Sequence, residues 1–496
     1  MVSPHPHTPA GSRAAYDSGS NNDFDPSAEQ ADEEPSFINN NEALEEIIPD
    51  DDQPMEDLSD EEEEEGGAES STAYRGAGAG ESIEIDLIND SVRHFDHHTD
   101  SIYSIALNPR LSGIVATGGG DDIAYIWSSD PTPGQTSQRG QERESQKVIF
   151  KSEGHGDSVT SVAFTASGEF LVSAGMNGKV MVTQCTNATN PTESSSWKKI
   201  AEVQEVEEIA WLIAHPTENI FALGASDGSV WIYEIDASSP GSELFVKQAF
   251  YNHTAACTAG TFAKNGQLLA TVSEDSNLFV HNVETGEVFA SFGNDDARFN
   301  VDGGLYAVAA NPAGTVVVVG GSTGECKVIA LPTAGTQTGG RSAGARRGGS
   351  ATAGTQSAQI LATLSTQSDS IESLAFSPSL PLLASASVDG SIVLYDTQRW
   401  AVRRTISGHE DSVVKVLFEE GQRGWLLTSC SVDRTVRRWD CRSGEEKFKW
   451  QGHSDGILGF VVDSNGRVIT AGDDHVALVF EETTAAPTVA SSTGRP

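Results

Sequence analysis

The chain has 496 residues, more than one small core requires, and carries 72 Asp and Glu against 31 Lys and Arg, a formal charge of −41. That acidity argues against binding naked DNA or RNA, whose phosphates need a basic surface, and favours a cationic partner, with simple solubility as the competing use of the charge. No apolar run reaches the ~18 residues of a membrane span, and residues 1–7 have neither the basic nor the apolar region of a secretory signal, so a cytoplasmic protein is expected, with the nucleus also open.

Residues 1–81 read as a disordered acidic tail. Its first 80 residues hold 22 Asp and Glu against two Arg, including the run from Asp60 to Glu65, and Gly, Ser, Asn and Pro make up half of the rest. Phe37-Ile38 and Leu44–Ile48 are the two apolar islands in it, short docking helices or plain tail, and Ser59 before the acid run has the form of an acidic-directed kinase site. From Ser82 the pattern changes to alternation, with Ile83, Ile85 and Leu87 against Glu84 and Asp86. The strand-like Ser91–Phe95 follows. Because the chain's last periodic block ends at Phe480 without a fourth strand, Ser91–Phe95 is expected to serve as that strand and close the fold, so truncation past about residue 90 should do far more harm than truncation to 80.

Between these ends one signature recurs eight times. Its fullest copy runs Gly408-His409-Glu410-Asp411-Ser412-Val413, then Ser431-Val432-Asp433, and ends at Arg438-Trp439-Asp440. A Gly-His opening, a turn Asp and an aromatic residue six positions later mark a WD40 repeat, whose units of ~40–45 residues each form one four-stranded blade. The turn position falls at Asp121, Asn177, Asp227, Asp275, Thr323, Asp389, Asp433 and Asp474, and the residue six further on is Trp127, Thr183, Tyr233, His281, Ile329, Tyr395, Trp439 and Phe480. Gly-His or its remnant is seen at His98, His155, His253, His409 and His453, while blocks three and five have lost it. The expected fold is an all-β, eight-bladed WD40 β-propeller over residues 82–482 with a disordered acidic N-terminal extension and a short disordered tail at 483–496; a seven-bladed ring would require one degenerate block to be an excursion. Three polar loops interrupt the ring at residues 128–147, 185–199 and 333–356. The last carries Arg341, Arg346 and Arg347, which read as a solvated linker ahead of an anion contact.

Catalysis finds no support. His409, Asp433 and Trp439 resemble a relay, but the repeat gives each a structural role, in which the His bonds toward the turn Asp and the Trp packs beside it with its N–H satisfied. The same applies to His155, His453, Asp121 and Trp127. The His94–His98 cluster sits at a strand end where the repeat expects one His, so a metal role is set aside, and Gly118–Asp122 lacks the Lys-Ser/Thr of a phosphate loop. Five Cys without a CxxC pair imply reduced thiols, with Cys257 and Cys430 in strands. No metal, cofactor or enzymatic activity is expected.

The informative residues are those the repeat leaves free. In WD40 rings the positions just before and just after the first strand's anchor residue, and just before the turn residue, crowd one face. In register these are Glu208, Glu274, Glu372 and Asp473 from four blocks, with Tyr103 and Tyr306 from two more. Trp211 nearby fits core or face equally. Asp100, Asp157, Asp369, Asp411 and Asp455 share the loops as turn caps. Carboxylates from separate blades converging on one mouth suit Lys and Arg side chains, with tyrosines for stacking; chance scatter in an acidic protein is the competing reading.

The runs His98–Tyr103, Ala116–Asp122 with Trp127, and Glu208–Trp211 through His215-Pro216 to Asp227-Gly228 and Trp231 resemble the angio-associated migratory cell protein family. That family includes a fungal ribosome-assembly chaperone of one new large-subunit ribosomal protein (L ten in the yeast naming), and animal members described in migration and signalling. The resemblance implies a monomeric binding protein that captures the client's basic N-terminal segment on an acidic propeller face in support of 60S assembly, with ribosomes or nascent chains as further partners and no direct nucleic acid or membrane contact. The rivals are a scaffold docking several signalling or trafficking partners and a histone-type chaperone acting through the tail.

Overall fold

The structure is a computed structural model and describes residues 88–131, 144–236, 238, 244–332 and 358–482. The acidic tail with its apolar islands and Ser59, the alternation at 83–87, most of the 128–147 loop, the 333–356 loop and the C-terminal 483–496 lie outside these residues.

The described chain forms eight four-stranded antiparallel sheets. The first strands, Ile102–Leu107, Val159–Phe164, Ile209–Ala214, Cys257–Ala263, Leu305–Ala310, Ile371–Phe376, Val413–Phe418 and Ile457–Val462, begin blades 1 to 8 and touch one another around the ring. The second strands of blades 1–4 and 6–8 are buried along their whole length, and they read as continuous runs of apolar and small residues because both faces are covered. The core is divided accordingly into eight apolar clusters, each built by two neighbouring blades. No blade has a core of its own, so the ring is stable only when closed.

Closure is made by the N-terminal strand Arg93–Phe95, which pairs antiparallel with Ala477–Phe480 as the outer strand of blade 8. Phe95 is fully buried and stacks on Trp127 of blade 1 at 4.9 Å, joining the last blade to the first. Arg93 donates to Glu481 at 2.9 Å and to the Ser129 carbonyl at 3.3 Å. The adjoining Glu482 accepts from the fully buried Arg438 at 2.6 Å and from Arg423, so the end of the last blade is tied to blade 7 as well.

The degenerate blocks are complete blades with altered joints. In blade 5 Val301 stands four residues before the anchor Leu305, the place of His98, His155 and His453 in their blades. A Cβ on Gly321 would meet Val301 Cγ1 at 2.5 Å, as one on Gly119 would meet His98 at 2.4 Å. An apolar residue there removes the need for a turn Asp, and Thr323 replaces it. Blade 3 uses Trp211, whose buried indole lies across Gly224 and Gly260, where added Cβ atoms would approach it to 2.3 and 2.2 Å; it belongs to the core between blades 3 and 4. Blade 6 has also lost its His, and Gln367 takes over, accepting from the Ser385 hydroxyl and donating to the Ser391 carbonyl at 3.0 Å. The loop placed at 185–199 is shorter than the composition suggests, since strands run through Cys185 and resume at Trp197.

Candidate binding face

Three of the residue types that look catalytic are consumed by the blades. In blade 7 His409 Nδ1 lies 2.8 Å from Asp433 Oδ2 and its Nε2 2.7 Å from Ser429 Oγ, which also accepts from Trp439 Nε1 at 2.8 Å. Blades 1, 4 and 8 repeat the set with Thr as the hydroxyl: His98–Asp121–Thr117, His253–Asp275–Thr271 and His453–Asp474–Thr470. Burial alone would raise the Asp433 carboxyl, but bonds from His409, Thr435 and the Glu410 N–H hold it well below the usual carboxylate range.

Two members of the expected structural set depart from it. Asn177 stands where the turn Asp would be, and it donates to the backbone carbonyl of His155 at 2.8 Å instead of meeting the ring. His155 keeps one ring bond, 2.9 Å to Ser173, and burial lowers its pKa to about 4. Trp127 packs as expected, yet its N–H has no partner among the described residues, although Thr117 at the hydroxyl station bonds His98 as Ser429 bonds His409. All five cysteines are buried and unpaired, and among the described residues no three His, Cys, Asp or Glu gather as metal ligands.

Two backbone devices shape one end of the ring, and both recur in every blade. The first strand carries a bulge one residue after its anchor, so that Tyr103, Thr160, Ala210, Thr258, Tyr306, Glu372, Val414 and Leu458 fall outside the ladder and are re-aimed. In addition, the N–H of the residue before the turn position donates to the carbonyl of the residue before the anchor. The eight bonds, Gly120 to Ser101, Met176 to Ser158, Ser226 to Glu208, Glu274 to Ala256, Ser322 to Gly304, Val388 to Ser370, Val432 to Ser412 and Asp473 to Gly456, span 2.7–3.2 Å. Together they hold three side chains per blade at the same end of the sheet.

Neighbouring blades meet there in a constant order, the pre-turn residue of one against the pre-anchor residue of the next. Ser412 Oγ donates to the Val388 carbonyl at 3.3 Å, and Ser101 Oγ to Asp473 Oδ1 at 2.5 Å. A Cβ on Gly304 would lie 3.0 Å from Glu274 Cα and 3.4 Å from the Tyr306 ring. The six residues read from the sequence therefore share one mouth: Glu208, Glu274 and Glu372 are exposed, Tyr103 is 42% exposed, Tyr306 is half-buried beside Glu274, and Asp473 has one oxygen committed to Ser101. Among the described residues no Lys or Arg pairs with Glu208, Glu274 or Glu372.

Just outside lie Asp100, Asp157, Asp369, Asp411 and Asp455, each capping the next residue's N–H at 2.7–2.8 Å. Each turn needs only one carboxylate oxygen from its cap, so the second adds to the negative field around the mouth. Met176 and Val432 stand in the same register, where nothing in the local sequence marks them; they are exposed there by 45% and 39%.

Eight blades, recurrent His–Asp joints and a mouth of variable side chains define a WD40-repeat β-propeller binding protein. The WD domain, G-beta repeat, family matches residues 89–128, 146–183, 358–396 and 400–440. The chain is 32% identical over 425 residues to the Saccharomyces cerevisiae ribosome assembly protein SQT1, covering 81% of this chain and 89% of that protein. It belongs to the SQT1 family. The human angio-associated migratory cell protein is 26% identical over 79% of this chain and 80% of its own length. Among solved structures, Chaetomium thermophilum Sqt1 bound to the N-terminus of the ribosomal protein L10 matches with 41% identity and a TM-score of 0.69, over 79% of this chain and all of that one.

Proposed function

We propose that this protein is a non-catalytic chaperone that holds the basic N-terminal segment of a newly made large-subunit ribosomal protein, of the L10 type, on the mouth described above, in support of large-subunit assembly. The observation that carries this reading is the Chaetomium thermophilum Sqt1 structure, whose whole length this chain matches at 41% identity and which holds the N-terminus of ribosomal protein L10. The chemistry of the mouth agrees with such a ligand. Glu208, Glu274 and Glu372 stand on separate blades with no Lys or Arg against them among the described residues, and Tyr103 and Tyr306 offer ring faces for guanidinium groups. A segment built to meet rRNA phosphate would bind adventitiously if left free, and an acidic mouth masks it until rRNA competes. The reading places the protein where its client is made, in the cytoplasm.

The test is calorimetry of the full chain with a synthetic peptide of the ribosomal protein L10 N-terminus. At ~1 kcal/mol for each partly screened pair, the variant Glu208→Lys/Glu274→Lys/Glu372→Lys should bind at least ~100-fold more weakly. Affinity should also fall steeply as the Debye length shrinks from ~10 Å at 0.1 M salt toward ~3 Å at 1 M. Unchanged affinity in the triple variant would place the site elsewhere.

A further inference from the structure

The mouth is not uniformly acidic. Of the eight first strands only two hold a charged residue, Glu372 in blade 6 and Lys415 in blade 7. Taken around the ring, the three variable stations separate into two arcs. Blades 3 to 6 contribute Glu208, Glu274 and Glu372, with Tyr306 among them. From the edge of blade 6 through blades 7, 8 and 1 to blade 2, the same stations hold Val388, Val414, Val432, Leu458, Tyr103 and Met176 among Ser, Thr, Gly and one Asp. At those stations the one carboxylate is Asp473, which accepts from the Ser101 hydroxyl, while the capping Asp100, Asp157, Asp411 and Asp455 stand just outside them.

The apolar arc is accessible: Tyr103, Val432 and Met176 are exposed by 42%, 39% and 45%, and Val388, Val414 and Leu458 are half-buried. Neighbouring blades abut along it, Val388 against Ser412 and Val432 within 3.4 Å of a Cβ built on Gly456, with the Ser101–Asp473 pair between Leu458 and Tyr103. Lys415 lies on the wall beneath it and donates to the Phe460 carbonyl at 3.1 Å. Burial there disfavours the charged form of Lys415, so the contrast between the two arcs rests on the carboxylates and the exposed apolar side chains.

We infer that the mouth reads a mixed pattern, in which basic side chains of the captured segment meet Glu208, Glu274 and Glu372 while aliphatic or aromatic side chains of the same segment cover Val432, Tyr103 and Met176. This deepens the capture reading and rests on it. Its occupant is argued from continuity with the acidic arc: a wholly basic segment would leave the exposed Tyr103, Val432 and Met176 wet, whereas a mixed one covers both sets. The arrangement gives a very acidic protein a means of rejecting other basic chains, since specificity is a difference between two affinities and the carboxylates alone cannot supply it.

The experiment uses the full chain and two synthetic peptides of equal length and charge, one with Arg and Lys separated by Ser and Gly, the other with the same cations separated by Leu and Tyr. The mixed peptide should bind at least ~10-fold more tightly, and that ratio should survive high salt, because burial of apolar surface is not screened. In the variant Met176→Ser/Val432→Ser the ratio should fall to within ~3-fold while affinity for the Ser/Gly peptide stays as in the parent, which also shows that the ring is folded. Equal binding of the two peptides by the parent, or equal loss of both in the serine variant, overturns the inference and leaves the acidic site standing. If Glu208→Lys/Glu274→Lys/Glu372→Lys binds both peptides like the parent, the capture reading itself fails.

Discussion

Removing the Phe95 ring is the sharpest test of how the propeller is closed. Phe95 is fully buried, stacks on Trp127 with planes 6° apart, and packs in the one cluster that joins blade 8 to blade 1, with Ile102, Val115, Ile469 and Val479. Its strand holds to the ring by three residue pairs, from Arg93↔Val479 to Phe95↔Ala477, and by the Val92 N–H to the Val479 carbonyl at 2.7 Å. So short a strand has few other contacts with which to absorb the loss. Phe95→Ala should cost ~3–5 kcal/mol, the lost transfer energy of the ring plus the cavity it leaves. The assay is equilibrium urea unfolding of the full chain, with amide exchange along Ala477–Phe480 as a local readout. Phe245→Ala, on the outer strand of blade 3 where the side chain is 44% exposed, serves as the control and should stay within ~0.5 kcal/mol. A Phe95→Ala protein within ~1 kcal/mol of the parent, with unchanged exchange at Ala477–Phe480, would refute the claim that this strand closes the ring.

Two further perturbations follow from the joints. Burial lowers His155 and His281 to about 4 from the ordinary 6.5, so both are neutral in the fold while the unfolded chain protonates them. Stability is thus full above pH 6.5 and lost as the pH falls from there toward 4; at pH 5.5 the loss is ~1.4 kcal/mol for each His. The parent's unfolding free energy should drop between pH 7.5 and 5.5, and His155→Asn/His281→Asn should flatten the drop; an equal drop in the variant counts against these residues. At the turn stations, Asp433→Ala strips an acceptor from His409, Thr435 and the Glu410 N–H and should cost ~3 kcal/mol in urea unfolding, whereas Thr323→Ala, at an exposed turn whose blade has Val301 at the His station, should cost under ~0.5 kcal/mol. Equal costs would contradict the substitution of an apolar joint for the His–Asp one.

Much of this ring is legible in the spacing, because the repeat's grammar is a set of physical necessities. The turn residue must accept N–H groups, and Asp does so in six of the eight turns. What the pattern conceals is compensation between positions far apart in sequence. Val301 replaces a His only because Gly321 leaves it room, and Trp211 needs glycines at both 224 and 260, so neither reads as a blade joint from local sequence. The hydroxyls at Ser429, Thr117, Thr271 and Thr470 escape notice for a related reason: they lie on interior strands where Ser and Thr carry no signal until the His is seen beside them. At the mouth the carboxylates are legible because unpaired acids are conspicuous there, while Met176 and Val432, in the same register, look like ordinary strand-end residues.

The ring separates what holds it together from what it can bind. The clamp that forms the mouth is an N–H to carbonyl bond in every blade and is indifferent to the side chain, so Gly120, Met176, Glu274 and Val432 all make it equally. Among the described residues the side chains of Glu208, Glu274 and Glu372 have no charged partner, whereas Asp433 holds His409, Thr435 and the Glu410 N–H. The three glutamates also stand on different blades in contact with water, where screening within ~8–10 Å keeps their mutual repulsion small while the mouth is empty. Their field gains its full effect only when a cationic segment covers them and lowers the local dielectric. A face built this way can be strongly acidic without straining the propeller, and charge reversal there should change affinity while leaving the urea unfolding curve of the free protein in place.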